Sequence, residues 1–390
     1  MVKVIKSNQN GPSLTYLYPW NEIADRARSW QMKKVHSEME LLVRILQCFV
    51  HRHGFDTVHD LIGASTYKWP RFFKLMRDHK MSAVVEVAFR MIRMDKSHPR
   101  VFRKLMQLRT LRKNRQEILD LERIRLGALF EEREIPFVPY KGSDFAEMFY
   151  PDPRLRNSID LDLAILQSHL RDAAQLLFSA GYEEHKNTTD FDNKIEKSRA
   201  HAIDYSFVKR NEDGQIYSNV ELHWQPGHPV LKIGPTFEQI WDQRIAVEPE
   251  TSSYIFSFDP IHQAMIMILH HGLIDTWGKL RHLLDLHCIQ TRLTQEEMHL
   301  LEILLGQYKM VKAFRVGQDV LQQILSYQGQ QDGKQTDSAT GLTLDLMCNG
   351  LSGNWSDQKK KLWHHWRMRE TLQEKLQLSV ALSRFALSGK

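Results

Sequence analysis

The stretch that decides the fold reads Ser158-Ile159-Asp160-Leu161-Asp162-Leu163-Ala164-Ile165. Polar and apolar residues alternate along it, which predicts a β-strand with one buried face. Asp160 and Asp162 then point to the same side, about 6.5 Å apart along the strand. Two carboxylates this close repel each other, and a hard cation such as Mg²⁺ would relieve the repulsion. Taken alone, the pair is equally compatible with an ordinary exposed strand edge.

A second segment offers a third carboxylate. The run Asn219-Val220-Glu221-Leu222-His223-Trp224 alternates in the same way, so that Glu221 and His223 share one face. If this strand lies beside the first, three carboxylates can hold two Mg²⁺ ions and leave one oxygen to orient or deprotonate an attacking hydroxyl. For His223 we favour a structural hydrogen-bonding role over direct metal binding.

The segment Lys141-Gly142-Ser143 follows a short β-type run and begins a helix. Backbone N–H groups at the start of a helix favour anions. Gly142 would let a triphosphate approach the backbone, and Ser143 would add a hydroxyl donor. Lys141, Arg154 and Arg156 are candidate cations for phosphate charge, although each is also compatible with an ordinary surface position.

The rest of the chain divides by its periodicity. Apolar residues recur at three- and four-residue spacing before and after a central segment that mixes short β runs with helices. The sequence therefore predicts an α+β fold, with a small mixed sheet between helical regions. The predicted regions are an N-terminal helical domain at 1–114, a mixed core at 115–235, a helical domain at 236–327, a flexible linker at 328–355 and a basic amphipathic helix at 356–390.

The composition is that of an ordinary globular protein, with 42% hydrophobic and 26% charged residues among 390. No apolar run is long enough for a transmembrane helix, and no signal core follows the amino terminus. Cys48, Cys288 and Cys348 are far apart, which argues against a disulfide framework and against a thiolate zinc site. We expect a soluble, cytoplasmic protein, and its oligomeric state is left open.

Positive charge is concentrated in one place. Ten Lys or Arg residues and a single acidic residue, Asp95, lie between Arg90 and Arg115, although the net charge of the chain is only +6. Such a stripe could attract nucleic acid or another acidic partner. A solvated helix face whose long side chains cover apolar surface is the alternative.

Two other groups of residues suggest competing functions. His270, His271, Asp275, His282 and Asp285 could form the metal site of a phosphohydrolase, but consecutive histidines face different sides of an α-helix and no HExxH motif is present. In the terminal helix, basic residues surround two tryptophans, as suits nucleic acid or a membrane surface, although packing on the helical domains is favoured. These residues are Lys359, Lys360, Lys361, Arg367 and Arg369 with Trp363 and Trp366.

The chain resembles the DNA polymerase β-like nucleotidyltransferase superfamily. That pattern has a Gly-Ser at a helix start, a carboxylate-x-carboxylate strand and a third carboxylate on a later strand, and the residues described above match it in order. Within the superfamily, the chain is most similar to the bacterial family of uncharacterised nucleotidyltransferases. The motifs behind this likeness are Ile135-Pro136, Tyr140-Lys141-Gly142, Tyr150-Pro151-Asp152-Pro153, Arg156, Gly181-Tyr182, Glu221-Leu222-His223-Trp224, His270-His271, Arg281 and Asp285.

The resemblance implies transfer of a nucleoside monophosphate from an NTP, ATP being the expected one, to an acceptor hydroxyl or phosphate with release of pyrophosphate. It also implies that Asp160 and Asp162 coordinate Mg²⁺ or Mn²⁺, and that Glu221 holds the catalytic metal and helps to activate the acceptor. Many superfamily members have Asp in place of Glu221. A peptide or protein, a small molecule and RNA all remain possible acceptors. The alternative is a protein that binds nucleotide without transfer, or a scaffold that uses its basic surface.

Overall fold

The computed structural model describes residues 36–185, 202–246 and 256–327, together with scattered positions between 340 and 378. Over these residues the protein is an α+β structure, in which a five-stranded mixed sheet is flanked by helices from both ends of the chain. The predicted fold class is therefore confirmed. Most of the predicted linker at 328–355 and most of the predicted helix at 356–390 lie outside the described residues.

Among the residues that the structure describes, six helices precede the sheet. They are α1 (Ser37–His51), α2 (Phe55–Ala64), α3 (Trp69–Asp78), α4 (Ser82–Met91), α5 (Met94–Ser97) and α6 (Pro99–Glu132). Helix α6 begins at Pro99, which suits a first helical position, and no Gly or Pro follows in the chain until Gly127. It therefore continues across the boundary predicted at residue 114.

Within the described residues, five strands form the central sheet and two α-helices lie between them in the chain. They are β1 (Phe137–Pro139), α7 (Gly142–Phe149), β2 (Leu161–Ile165), α8 (Leu170–Ser179), β3 (Glu183–Glu184), β4 (Asp204–Arg210) and β5 (Ile216–His223). The strand order is β1-β2-β5-β4-β3, and only the β2–β5 pair is parallel. The two strands for which alternation was predicted are thus neighbours.

Strand β2 is buried on both faces, which differs from the single buried face predicted from its alternation. Leu161, Leu163 and Ile165 pack with residues of α6 and α8 on one side. Ala164, on the opposite face, joins the larger core that the flanking helices form. Asp162 consequently lies on a covered face, with only 7% of its surface exposed.

The chain after the sheet is mainly helical. Its elements are α9 (Phe237–Ile240), β6 (Arg244–Ala246), β7 (Phe256–Phe258), α10 (Pro260–Leu269), α11 (Leu280–Arg292), α12 (Gln295–Gln307) and α13 (Val311–Ser326). A π-helix follows α10 at His270–Ile274. Within the described ranges, no helix combines the length and the apolar character that crossing a bilayer requires.

Part of the basic stripe is used within the fold. Arg90, Arg109 and Arg112 converge on the buried carboxylate of Glu86, at N–O distances of 3.1, 2.7 and 2.7 Å. Arg369 is also buried and donates a hydrogen bond to the carbonyl of Leu231. These cations stabilise contacts between elements, while the side chains of Arg90 and Arg109 remain 49% and 46% exposed.

Candidate active site

The parallel pairing of β2 and β5 brings the two acidic segments together. Its register sets Asp162 opposite Glu221, with Asp160 immediately before β2 and His223 at the end of β5. One potential ligand atom each from Asp162, Glu221 and His223 lies within 4.8 Å of the other two. Acidic and imidazole side chains are therefore concentrated where the start of β2 lies beside the end of β5.

His223 connects the carboxylates. Its Nε2 lies 2.9 Å from Asp162 Oδ1 and 3.3 Å from Glu221 Oε2, while its ring meets the ring of Tyr140 edge-on. Burial and the Lys141 ammonium lower the pKa of His223, but its hydrogen bonds to the two carboxylates outweigh both effects, so the net pKa is raised. The imidazole holds the two carboxylates in a fixed relation.

Burial and neighbouring charges change the pKa values of Asp160 and Asp162. Burial, followed by repulsion from Asp162 and Glu221, raises the pKa of Asp160 to about 6. Burial also raises the pKa of Asp162, but Lys141 and the hydrogen bond with His223 outweigh it and bring the net pKa below its usual range. A divalent cation would relieve this crowding, and carboxylate oxygens are suitable ligands for Mg²⁺ and Mn²⁺. The residues present therefore fit such an ion.

Lys141 and Gly142 form a tight turn beside these carboxylates. Both have positive φ, 58° for Lys141 and 35° for Gly142. A Cβ at Gly142 would lie 2.9 Å from Ser158 Oγ. The buried Lys141 side chain turns inward, with its Nζ 3.6 Å from Asp162 Oδ1 and 4.6 Å from the centre of the Tyr140 ring. Lys141 thus lies inside the site.

Helix α6 contacts the same turn through a residue that the sequence did not suggest. Gln116 donates from Nε2 to Ser143 Oγ at 3.1 Å and accepts the Ser158 N–H at Oε1 at 3.3 Å. Ser143 is the second residue of α7, where its hydroxyl lies next to the N–H groups at the start of that helix. Gln116 therefore aligns the beginning of α7 with the segment that leads into β2.

The two predicted arginines lie in very different places. The Arg156 side chain is 3% exposed, with its Nε 3.0 Å from Asp285 Oδ1 and its Nη1 donating to the Gly142 carbonyl at 2.8 Å. Arg154 is 90% exposed and its Nε lies 2.9 Å from Asp152 Oδ1. Arg156 thus supports the Lys141–Gly142 turn from the interior, whereas Arg154 is not brought into the site.

Sequence reasoning missed Asp204 and Lys80. Asp204 pairs in register with His223, and its Oδ2 lies 3.8 Å from His223 Nδ1. Alternation in β4 could have revealed it, because Asp204 shares a face with Ser206, whose hydroxyl donates to Glu221 at 3.4 Å.

Lys80 belongs to the loop between α3 and α4, which backbone contacts join to α11. The carbonyl of His79 accepts the Arg281 N–H at 3.3 Å, and Arg281 Nη1 in turn donates to the Asn157 carbonyl. Burial and the neighbouring Arg281 lower the pKa of Lys80 to about 8. The negative charge of Asp160 raises this pKa but does not outweigh them. No local sequence signal marks this position.

A mixed sheet with carboxylates on two adjacent parallel strands, beside a Gly-Ser helix start, makes this an α+β protein. The chain belongs to the family described as uncharacterised nucleotidyltransferases, whose model matches residues 65–325. This membership confirms the family expected from the sequence motifs and supports nucleotidyl transfer as the general activity.

Among solved structures, the chain is similar to an antigenic nucleotidyltransferase-like protein from Paracoccidioides brasiliensis. The two are 17% identical, and the match covers 51% of this chain and 93% of the other, with a TM-score of 0.29. A score this low carries no argument about the site. No curated protein matches the chain.

Proposed function

We propose that the protein is a metal-dependent nucleotidyltransferase that transfers a nucleoside monophosphate from an NTP to an acceptor and releases pyrophosphate. The observation that carries this proposal is the parallel register of β2 and β5, which sets Asp162 opposite Glu221. Asp160, Asp162 and Glu221 would hold Mg²⁺ or Mn²⁺, and ATP is the expected nucleotide. The bound ion would supply neutralisation of phosphate charge and acidification of the acceptor hydroxyl.

We assign a different role in the proposed reaction to each side chain of this site. The N–H groups at Gly142 and Ser143 would bind the triphosphate, with the ammonium of Lys141 beside them. The Glu221 side chain is 25% exposed, compared with 8% for Asp162, so it is the more accessible group to orient the acceptor hydroxyl and take its proton. His223 would keep Asp162 and Glu221 aligned, and Arg156 would position the turn without touching phosphate.

The acceptor is best sought by direct transfer. Full-length protein with Mg²⁺ or Mn²⁺ and each α-labelled NTP is offered peptides, RNA and small polyhydroxyl compounds, while label transfer and pyrophosphate release are measured. We expect Asp160→Asn to reduce turnover by about 100-fold or more, because the carboxylate acts where phosphate charge develops. Asp172→Asn, an exposed carboxylate on α8, is the matched control and should retain wild-type turnover.

Two results would contradict the proposal. Equal turnover by the wild type and the Asp160→Asn variant, with both proteins folded by circular dichroism, would remove Asp160 from the mechanism. Metal-dependent NTP binding without transfer to any acceptor would favour the non-catalytic alternative. A scaffold that acts through the basic stripe, in which Glu86 pairs with Arg90, Arg109 and Arg112, would keep its activity in the Asp160→Asn variant.

A further inference from the structure

The π-helix at His270–Ile274 gathers side chains that an α-helix would separate. In a regular helix, consecutive histidines diverge, and Asp275 would share a face with His271 alone. The Asp275 N–H instead donates to the His270 carbonyl at 2.9 Å, an i→i+5 bond that widens the turn. As a result, one potential ligand atom each from His270, His271 and Asp275 lies within 4.8 Å of the other two.

The imidazoles of this cluster have nitrogen atoms without hydrogen bonds. Nδ1 of His270, of His271 and of the neighbouring His282 is buried and has no hydrogen-bond partner. His270 Nδ1 lies 3.5 Å from Asp275 Oδ2, close to the roughly 3.4 Å between two ligands of a tetrahedral ion.

A carboxylate orients the most buried of the three candidate ligands. His271 Nε2 lies 2.8 Å from Asp285 Oδ2, which leaves Nδ1 as the free nitrogen. Histidines that bind metal typically donate their second ring N–H to a carboxylate in this way, because the bond fixes the tautomer and the ring orientation. Asp285 is fully buried and is also held by Arg156 and Tyr150, so the His271 ring is firmly placed.

We propose that His270, His271 and Asp275 form a second metal site, whose ligands differ from those of the carboxylate site on β2 and β5 and which takes a divalent transition-metal ion such as Zn²⁺. Two imidazoles and one carboxylate favour such an ion over Mg²⁺, which prefers oxygen ligands. Three protein ligands leave one position of a tetrahedral ion open. The side chains of His270 and Asp275 are 24% and 27% exposed, so that position can reach solvent.

The carboxylate of Asp275 contacts one imidazole and one ammonium group. Its Oδ2 lies 3.3 Å from His282 Nε2 and 3.9 Å from Lys279 Nζ. A bound ion would displace the Lys279 ammonium, whose side chain is 32% exposed and free to move into solvent. His282 would remain either a partner of Asp275 or a fourth ligand.

The test measures bound metal and does not depend on catalysis. Full-length protein without an affinity tag is stripped with a chelator and titrated with Zn²⁺, and bound zinc is quantified by mass spectrometry. Co²⁺ absorption then reports on the ligand field. The Asp162→Asn variant is titrated in parallel, because Asp162, Glu221 and His223 could also take zinc. We expect about one Zn²⁺ per chain to persist in Asp162→Asn, and affinity at that site to fall roughly 100-fold or more in Asp162→Asn proteins that also carry His270→Ala or Asp275→Asn.

The control for a general loss of histidine is His262→Ala. His262 lies on α10 and has its own carboxylate partner, with Nδ1 2.8 Å from Asp259 Oδ2, and its replacement should leave zinc binding unchanged. Circular dichroism and the melting temperature confirm that each variant is folded. Unchanged zinc affinity in a folded His270→Ala protein would overturn the proposal, as would loss of all zinc in Asp162→Asn. Failure of nucleotidyl transfer would leave the zinc result unaffected.

Discussion

Gly142 determines the shape of the candidate phosphate-binding turn. Its φ of 35° follows a φ of 58° at Lys141, so two successive residues leave the usual backbone regions. Such conformations persist only where the surrounding contacts hold them. Here the contacts are the Arg156 donation to the Gly142 carbonyl and the ion pair between Lys141 and Asp162.

Replacing Gly142 by alanine should therefore disturb both the fold and the site. A Cβ at this position would meet Ser158 Oγ at 2.9 Å and would be strained at positive φ. We expect the Gly142→Ala variant to lose about 1 to 2 kcal/mol of unfolding free energy in urea titrations. Its affinity for NTP should fall as well, because the N–H groups of the turn would shift.

The matched control is Gly63→Ala. Gly63 lies exposed near the end of α2, and a Cβ there would have no heavy atom within 4 Å. Alanine at this helical position should leave the stability unchanged or raise it by up to about 1 kcal/mol. An equal effect of the two substitutions would mean that the turn at Gly142 is not strained.

Among the secondary-structure elements, α6 connects the N-terminal helices to the sheet. Its residue Glu122 is buried and contacts three groups: Arg125 Nη2 at 2.7 Å, the Tyr182 hydroxyl at 2.7 Å and Lys209 Nζ at 3.9 Å. Tyr182 immediately precedes β3, and Lys209 belongs to β4. One carboxylate thus connects α6 to the far edge of the sheet.

The stability that Glu122 provides should depend on pH. Burial raises the pKa of Glu122, but Arg125 and Tyr182 outweigh it and bring the net pKa below the ordinary value of 4.5. A depressed pKa in the folded state stabilises the protein above the pKa of the unfolded chain, and this contribution is lost as the pH falls through the folded value. We expect Glu122→Gln to cost on the order of 2 kcal/mol at pH 7, and the difference from wild type to shrink below pH 4.5.

Glu117→Gln provides the comparison on the same helix. Glu117 is 58% exposed, and its Oε1 lies 3.3 Å from Lys113 Nζ. Exposed pairs of this kind contribute little, so the unfolding free energy should hardly change. A loss for Glu122→Gln that stayed constant between pH 7 and pH 3 would mean that the charge of Glu122 is not what stabilises the contact.

Over the whole molecule, the buried core crosses the predicted domain boundaries. One cluster contains Leu42 of α1, Phe145 of α7 and Ile266 of α10, and the second lies between α6, α8 and the sheet. Helix α6 contributes Leu105 to the first cluster and Leu126 to the second. The first cluster therefore includes residues from both sides of the boundaries predicted at residues 114 and 235.

Because residues far apart in the chain pack together in the first cluster, a destabilising substitution in α1 should lower the stability of the whole molecule. Leu42 is fully buried in α1, and Leu42→Ala should lower the unfolding free energy by about 2 to 5 kcal/mol. We expect far-UV circular dichroism and tryptophan fluorescence to report the same shifted midpoint of unfolding. Trp224 follows β5 of the sheet and Trp277 precedes α11, so both tryptophans report on regions outside the front helices.

Leu111→Ala on α6 is the control, since Leu111 is 67% exposed. Its unfolding curve should overlay that of the wild type. If Leu42→Ala produced two separate transitions, with the tryptophan signal unmoved, the front helices would be an independent domain. That outcome would favour the division predicted from the sequence over a single cooperative unit.

Much of the fold could be predicted because alternation and helical spacing are local properties. The period of two in β2 and β5 identified both strands, and it placed Glu221 and His223 on the face opposite Val220 and Leu222. The different burial of Arg154 and Arg156 could not be predicted from periodicity. Arg154 and Arg156 are two positions apart in a turn, and only packing against α11 buries one of them and leaves the other in solvent.

The sequence by itself determined which residues share a face, where the Gly-Ser turn lies and which family the chain belongs to. The tertiary structure decided the parallel register that sets Asp162 opposite Glu221, the approach of Lys80 and Asp204, and the π turn that gathers His270, His271 and Asp275. The physical reason is that periodicity depends on the geometry of one element, whereas register and proximity depend on the packing free energy between residues far apart in the chain.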